Sequence, residues 1–285
     1  MSMFKAANPV EQGARDHLAA SAPPSVQFRN IGQTFGQDGP KPYEAIRNLQ
    51  LEVRPGEFLA IVGPSGCGKS SLLRILAGLA QPTAGEVLID HQPVRGINAA
   101  RVGFLFQQDA LLPWRTVREN IALGLRFARR SDESRTRTLV ADWVTKVGLT
   151  GFEDRYPAQL SGGMRKRVAI AQTLIADPDL LLMDEPFTAL DAQSRHLMEA
   201  DLLALCGEGT KTILFVTHDL DEATALADRI AIMTAGPFSH VKTVVDVDLP
   251  HPRNLLAVRD NPRFGEVTAF LWHQLYEEVR KVYGR

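Results

Sequence analysis

Short apolar runs separated by turns dominate the chain from residue 26 onward and predict strands. Phe58–Val62 is one such run, and Leu180–Met183 and Thr212–Val216 are two others. The continuous apolar character of the last two is typical of parallel strands buried on both faces of a sheet. The earlier segments Val26–Arg29 and Leu49–Val53 alternate between apolar and polar residues, which predicts half-buried strands.

Helical periodicity replaces the strand pattern in the middle of the chain. Between positions 116 and 147, apolar residues recur at helical spacing with charges between them, at Val117, Ile121, Leu125, Leu139, Trp143 and Val147. We therefore expect residues 108–178 to form a helical subdomain inserted into an α/β core, and its last helix to start at Ser161. Another helix is predicted around Ala192–Cys206, between two of the buried strands.

The remaining strands are predicted at Glu86–Asp90, Val102–Phe106 and Val241–Val247. Breakers at residues 250–253 follow, and then a terminal helix with an apolar stripe made of Phe264, Val267, Leu271, Leu275 and Val279. We expect this stripe to dock onto the body of the protein; a partner-binding helix is the alternative. Residues 26–250 are thus predicted to form the main domain, and residues 251–285 a C-terminal helical extension.

Net charge, cysteine count and the length of apolar stretches exclude several classes of protein. The chain has 285 residues, a net charge of -1 and a pI of about 6.7, so it carries no electrostatic footprint for nucleic acid. Its two cysteines, Cys67 and Cys206, offer no disulfide framework and favour a reduced compartment. No apolar stretch reaches the roughly 20 residues of a membrane span. Residues 1–25 lack the apolar core of a signal peptide and are predicted to be a flexible tail.

A glycine-rich loop follows the strand at Phe58–Val62 and leads into a helix. It matches the pattern G-x-x-x-x-G-K-[ST] with Gly63, Pro64, Ser65, Gly66, Cys67, Gly68, Lys69 and Ser70, and Ser71 follows. Glycines allow backbone N–H groups to surround a phosphate, and the helix N-terminus adds its positive dipole end. Lys69 can reach the β- and γ-phosphates, and the Ser70 hydroxyl suits a Mg²⁺ ion between them. This loop pattern predicts a site that binds a nucleoside triphosphate.

The thiol of Cys67 lies within this loop, close to a helix N-terminus and to Lys69. Positive potential stabilises a thiolate. We therefore expect Cys67 to be more acidic than a free cysteine, open to alkylation, and protected by ATP.

Two acids end the apolar strand at residues 180–183. Asp184 fits the role of a Mg²⁺ partner, and Glu185 lies one residue further, where a carboxylate can polarise an attacking water. Capping of the following turn is the structural alternative for this pair.

A second helix N-terminus begins at Ser161-Gly162-Gly163. A serine hydroxyl and unobstructed N–H groups can bind an anion there. One chain rarely needs two such sites for one triphosphate, so we expect this one to bind the γ-phosphate of a nucleotide held by a second copy. An ordinary N-capped helix is the alternative.

These motifs, taken in order with Gln107, Ala189-Leu190-Asp191 and His218, resemble the nucleotide-binding subunit of an ATP-binding-cassette transporter. The resemblance covers residues 26–249. It implies a P-loop NTPase fold with a parallel central sheet, an N-terminal antiparallel β-subdomain and an inserted α-helical subdomain. It also implies ATP and Mg²⁺ as ligands, a head-to-tail homodimer, integral membrane permease subunits and, indirectly, a substrate-binding protein. The subunit would then lie at the cytoplasmic face of the inner membrane.

The resemblance also assigns roles to single residues. Gln107 is similar to the family's Q-loop glutamine, which touches Mg²⁺ or the attacking water; Gln108 is a weaker candidate. His218 is similar to the histidine that hydrogen-bonds the γ-phosphate, and Asp191 lies in the loop that joins the two subunits. Phe35 is the expected aromatic on the adenine, with Tyr43 as the alternative.

Three features are similar to importers of nitrate, alkanesulfonates and taurine. They are Met164, which replaces the usual glutamine after Ser161-Gly162-Gly163, the stretch Phe106–Trp114, and the stretch Asp248–Arg253. We expect the apolar segment Leu111–Trp114 to form a groove for a helix of the membrane subunit. An ordinary buried loop is the alternative there.

The sequence therefore predicts an ATPase that drives uptake of a small anion. A soluble cassette ATPase of translation or DNA repair is the alternative, although such chains usually carry two cassettes or a long coiled-coil insertion. A small-molecule P-loop kinase would have no use for Ser161-Gly162-Gly163.

Overall fold

The computed structural model describes residues 23–283, except Asp38, Arg130–Asp132, Glu208 and Leu256, and the side chain of Tyr283 is not described. The tail predicted for residues 1–25 therefore lies almost wholly outside the described residues. In chain order, the strands are β1 (Val26–Phe35), β2 (Tyr43–Val53), β3 (Phe58–Val62), β4 (Ala84–Ile89), β5 (Gln92–Pro93), β6 (Val102–Leu105), β7 (Leu180–Asp184), β8 (Thr212–Val216), β9 (Arg229–Met233) and β10 (Val241–Asp246). The helices are α1 (Lys69–Leu76), α2 (Val117–Phe127), α3 (Glu133–Lys146), α4 (Gly162–Leu174), α5 (Ala192–Cys206), α6 (Leu220–Leu226) and α7 (Pro262–Tyr283).

A six-stranded sheet forms the centre, in the order β10-β9-β3-β8-β7-β6. All neighbouring strands are parallel except β10, which runs antiparallel to β9. Every residue of β3, β7 and β8 is buried, as their continuous apolar runs predict. Successive side chains of these strands point to opposite faces, so each strand contributes to two different hydrophobic clusters.

A second, four-stranded antiparallel sheet has the order β2-β1-β4-β5 and packs with α1 over one face of the central sheet. The opposite face is covered by α5, α6 and α7. The predicted P-loop α/β fold with an antiparallel β-subdomain is confirmed. Strands β1 and β2 are several residues longer than the alternating pattern indicated.

Helices α2, α3 and α4 have a hydrophobic cluster of their own, which includes the apolar positions at helical spacing. Thr116 begins α2 with a capping box, in which its hydroxyl and the Glu119 carboxylate accept each other's backbone N–H groups. These helices lie within the range 108–178 that the sequence indicated as an insert.

The terminal helix α7 docks onto the body with its apolar stripe, as expected. Phe264, Val267, Leu271 and Leu275 are buried in the cluster beneath α5 and α6. Among the described residues, no helix is both long enough and apolar enough to span a membrane.

Candidate active site

The glycine-rich loop connects β3 to α1 at the carboxyl edge of the central sheet. Gly66 and Gly68 have φ angles of 76° and 101°, which disfavour residues with a Cβ. A Cβ on Gly68 would lie 2.7 Å from the Ile46 side chain, and one on Gly63 would lie 3.0 Å from the Cys67 sulfur. The predicted glycines are therefore required by backbone conformation and by close packing.

Lys69 and Ser70 begin α1 with their side chains at the loop. The Lys69 ammonium is buried and donates to the carbonyls of Gly63 at 2.8 Å and Pro64 at 3.0 Å. The Ser70 hydroxyl donates to Asp184 Oδ1 at 2.8 Å. Burial raises the pKa of Asp184, and the Ser70 hydrogen bond opposes that shift. The predicted loop residues Ser65 and Gly66 are exposed, and Ser71 lies in the first turn of the helix.

Glu185 is the centre of a cluster at the end of β7. Its backbone N–H donates to the Val216 carbonyl, and its φ of 45° turns the chain sharply after the strand. One carboxylate oxygen, Oε2, lies 3.2 Å from Gln107 Nε2 and 3.3 Å from His218 Nδ1. The structure thus brings together the three residues predicted to be catalytic. Thr188 also donates to this oxygen at 3.3 Å; sequence reasoning missed it, although its place three residues after Glu185 is a signal.

Ser161-Gly162-Gly163 opens α4 with an exposed end. The Ser161 hydroxyl accepts the Met164 N–H at 3.3 Å, so it is the N-cap. A Cβ on Gly163 would meet no atom within 4 Å. Within the described part of the chain, no hydrogen bond or ion pair joins these three residues to the Glu185 cluster. Their contact with a nucleotide of a second copy stays a prediction.

Asp191 is the N-cap of α5 and accepts the Ser194 N–H at 3.0 Å, and hydrogen bonding from Ser194 lowers the pKa of this carboxyl. One turn into α5, Arg195 donates to Asp219 Oδ2 at 2.8 Å and to the Leu190 carbonyl at 3.4 Å. Arg195 thus ties the loop before α5 to the residue after His218. Sequence reasoning missed this link, because its partners are distant in the chain.

Phe35 and Tyr43 face each other across the end of the β1–β2 pair, and each ring is about half exposed. The Tyr43 hydroxyl lies 2.6 Å from where a Cβ on Gly236 would be, and that position is 3.7 Å from the Gly66 carbonyl. The Tyr43 hydroxyl therefore lies close to the loop, and the choice of Phe35 over Tyr43 for adenine stacking stays a prediction.

The expectation for Cys67 is wrong. Its side chain is fully buried, and this burial raises the pKa of the thiol despite the nearby Lys69. Desolvation of a thiolate outweighs the positive charge here, although the Lys69 ammonium lies 3.9 Å from the Cys67 sulfur.

Ser70 and Asp184 suit a Mg²⁺ ion chemically. Mg²⁺ prefers oxygen ligands and takes only one or two from protein when phosphates supply others. Ser70 Oγ and Asp184 Oδ1 are adjacent, and the side-chain oxygen of Gln107 belongs to the cluster next to them. Among the described residues, no group of three or more His, Cys, Asp and Glu side chains could hold a metal ion.

An apolar groove of about 520 Å³ lies between α1, β6 and the helices α2 and α4. Leu79, Ile97, Phe106 and Phe127 line it, and all four are at least one-third exposed. Gln108 and Ala110 also line it, whereas the predicted segment Leu111–Trp114 does not. The groove therefore begins just before the segment that the sequence indicated.

The chain is similar to ATP-binding proteins of transporters. The family model described as ABC transporter matches residues 46–188. An uncharacterized ABC transporter ATP-binding protein of Methanocaldococcus jannaschii is 45% identical over 90% of this chain and 93% of its own length. In Synechococcus elongatus, the nitrate import ATP-binding protein NrtD is 42% identical over 85% of this chain and 88% of its own. The bicarbonate transport ATP-binding protein CmpC of the same species is 41% identical over 91% of this chain and 40% of its own.

Among solved structures, the ATP-binding cassette MJ0796, a dimer in a post-hydrolysis state bound to ADP and Pi, matches with a TM-score of 0.69. It is 33% identical, and the match covers 78% of this chain and 98% of that one.

Proposed function

The chain belongs to the ABC transporter family and is an ATP-hydrolysing subunit, and we propose that its transporter imports a small anion such as nitrate or bicarbonate. The assignment as an ATPase rests on one observation. Gln107 and His218 both contact Glu185, beside the loop that contains Lys69 and Ser70. Alkanesulfonates and taurine are further candidates for the cargo, on the resemblance of Met164 and of the stretches Phe106–Trp114 and Asp248–Arg253.

In the proposed mechanism, Lys69 and the backbone N–H groups of the loop between Gly63 and Ser71, in which Pro64 has none, bind the phosphates of ATP. The Glu185 carboxylate accepts a hydrogen bond from the attacking water and orients it toward the γ-phosphorus. Gln107 and His218 both contact the Oε2 atom of that carboxylate, and His218 can also donate to the γ-phosphate. A bound Mg²⁺, held by Ser70 and Asp184 with Gln107 nearby, would neutralise charge on the phosphates.

The proposed active unit is a head-to-tail homodimer. Ser161-Gly162-Gly163 would bind the γ-phosphate of ATP on the second copy, and Asp191 would lie at the contact between copies. The exposure of Ser161, Gly162 and Asp191 supports this arrangement, as does the dimeric state of the solved cassette. Hydrolysis would remove the phosphate that joins the two surfaces, and the dimer would loosen.

Permease subunits in the membrane are the proposed second partner, and they would receive cargo from a substrate-binding protein. The apolar groove that begins at Phe106 and includes Gln108 suits an amphipathic helix of such a subunit. Phe106 and Gln108, on either side of Gln107, line the groove. A helix bound there would therefore contact the segment whose Gln107 side chain hydrogen-bonds to Glu185. The similarity to a nitrate import ATP-binding protein and to a bicarbonate transport ATP-binding protein favours transport over a role in translation or DNA repair.

The direct test of the enzymatic assignment is Glu185→Gln. We expect this variant to lose multiple-turnover ATP hydrolysis by at least about 100-fold while it still binds ATP, because the substitution removes only the group that orients the water. Sustained turnover by Glu185→Gln would exclude the proposed role of Glu185.

The cargo requires a test in cells. We expect a deletion strain to lose uptake of one of nitrate, bicarbonate, taurine or alkanesulfonates, and to regain it with the wild-type chain but not with Lys69→Ala. Normal uptake of all four would contradict the small-anion proposal and leave the ATPase assignment intact.

A further inference from the structure

Lys166 lies in the first turns of α4, and its side chain is only 3% exposed. Its ammonium is 2.8 Å from Asp109 Oδ1 and donates to the carbonyls of Phe106 at 3.4 Å and Gln107 at 3.3 Å. The two carbonyls that accept from the ammonium and the carboxylate that forms an ion pair with it all belong to one short segment, residues 106–109, that follows β6. The buried Lys166 ammonium thus fixes the backbone at Gln107.

Burial of an ammonium is costly unless its N–H groups have partners, so this arrangement fixes both the lysine and the segment that surrounds it. The rest of α4 also packs against β6. A Cβ on Gly103 would lie 2.9 Å from Thr173 and 2.8 Å from Pro178, which leaves no space between the strand and the end of the helix. Helix α4 therefore contacts residues 106–109 near its beginning and β6 itself near its end.

The same contact connects two parts of the site that are otherwise separate. Gly163 lies three residues before Lys166, on the same face of α4. On the other side, the Gln107 side chain donates to Glu185 Oε2 at 3.2 Å. A continuous path therefore leads from the exposed end of α4, through Lys166 and Gln107, to the carboxylate that orients the water.

We propose that Lys166 is a positioning residue for ATP hydrolysis, which places Gln107 against Glu185 and so couples the exposed end of α4 to the hydrolysis site of the same chain. The inference rests on the proposed roles of Glu185 and Ser161-Gly162-Gly163. When that end binds a phosphate on a second copy, any shift of α4 is transmitted to Gln107 by the Lys166 ammonium. In each chain, the position of Glu185 thereby depends on the nucleotide bound by the partner chain.

The test is a double-mutant cycle on the full-length chain, with steady-state ATP hydrolysis as the readout. We expect Lys166→Met to lower kcat by about tenfold or more and to change KM for ATP by less than about threefold, because the loop that binds ATP is untouched. In a Gln107→Ala background, Lys166→Met should lower kcat by less than about twofold, since its effect passes through Gln107.

The matched control is Lys146→Met, which removes an exposed lysine of α3 in the same subdomain and should leave kcat unchanged. If Lys166→Met does not fold, Lys166→Gln, which retains N–H donors for the two carbonyls, replaces it in the same cycle with a smaller expected loss.

Independent losses from Lys166→Met and Gln107→Ala, which multiply in the double variant, would overturn the inference. An unchanged kcat in Lys166→Met would overturn it as well. Either result leaves the proposed function standing if Glu185→Gln is inactive. A wild-type chain that hydrolyses no ATP would overturn both.

Discussion

At the scale of single residues, burial decides the behaviour of groups whose sequence neighbours suggest the opposite. Cys67 lies near Lys69 and a helix N-terminus, yet burial raises the pKa of its thiol. Glu222 lies in the first turn of α6, where a negative charge is usually favoured, yet burial raises the pKa of its carboxyl to about 7. Desolvation is not visible in the sequence, because it depends on side chains that are distant in the chain.

Cys67 should react slowly with alkylating reagents. Because its side chain is fully buried and its thiol pKa is raised, we expect iodoacetamide at pH 8 to label Cys67 at least about tenfold more slowly in the folded protein than in urea. Mass spectrometry of the peptides separates Cys67 from Cys206, whose thiol pKa burial raises to about 12. Equal labelling rates in the folded and unfolded protein would contradict the burial of Cys67.

Glu222 should make stability depend on pH in an unusual direction. Its carboxyl accepts the Thr217 hydroxyl at 2.6 Å and lies 3.5 Å from Arg195, with the acids Asp219 and Glu199 nearby. Since its pKa is about 7 in the folded chain against an ordinary 4.5, the folded state retains a proton that the unfolded state has lost. The free energy of unfolding that this group contributes therefore falls as pH rises from 4.5 to 7, and is constant above that range.

Glu222→Gln removes this penalty. We expect it to stabilise the protein relative to wild type at pH 8, by on the order of 3 kcal/mol, and to have little effect at pH 4.5. Urea denaturation at several pH values measures the difference. The exposed acid Asp221, changed to Asn, is the control for the loss of a carboxylate from the same turn of α6. A Glu222→Gln effect that does not vary with pH would contradict the raised pKa.

At the scale of elements, the sequence predicted most strands and helices because their patterns are local, but it did not predict β5, β9 or α6. The continuous runs at β7 and β8 indicated burial on both faces, and the glycine pattern indicated the loop before α1. The contacts that assemble the site are not local. Arg195 reaches Asp219, 24 residues away, and Lys166 reaches Gln107, 59 residues away. The contact of Thr188 with Glu185, three residues apart, is the local exception.

The terminal helix α7 is attached to the body at several points. Its Thr268 hydroxyl donates to the Thr224 hydroxyl of α6 at 3.2 Å, and Glu278 accepts the Ala235 N–H after β9 at 3.0 Å. Leu271 lies between these contacts and is fully buried, whereas Trp272 beside it is 61% exposed. Only one face of α7 therefore packs into the hydrophobic core.

Leu271→Ala should destabilise the whole protein. We expect a loss of about 2–5 kcal/mol in the free energy of unfolding, since the substitution leaves a cavity beneath α7. Trp272→Ala, the matched control on the exposed face, should cost less than about 1 kcal/mol. Urea denaturation of both variants gives the comparison, and equal losses would mean that α7 contacts the body through a different face.

At the scale of the whole molecule, the fold presents two helix N-termini for phosphate on separate parts of one chain. Lys69 begins α1 at the edge of the central sheet, and Ser161 caps α4 in the helical subdomain. Within the described residues, no hydrogen bond or ion pair joins the second to the Glu185 cluster. A head-to-tail pair of chains would use both, because each exposed end of α4 would face the loop of the other copy.

This arrangement predicts dimerisation that requires ATP and an unobstructed α4 end. Glu185→Gln should sediment as a monomer without nucleotide and as a dimer with ATP and Mg²⁺, because the γ-phosphate then stays in place. Adding Gly163→Asp should keep that chain monomeric with ATP, since the new carboxylate repels the phosphate, whereas folding tolerates it: a Cβ there meets no atom within 4 Å. Gly265→Asp is the matched control, because Gly265 is also helical and has equally open space around it, and this variant should still dimerise. A dimer formed by the Gly163→Asp chain with ATP would exclude Ser161-Gly162-Gly163 as the second phosphate site, and a dimer formed without ATP would exclude nucleotide as the link between the two copies.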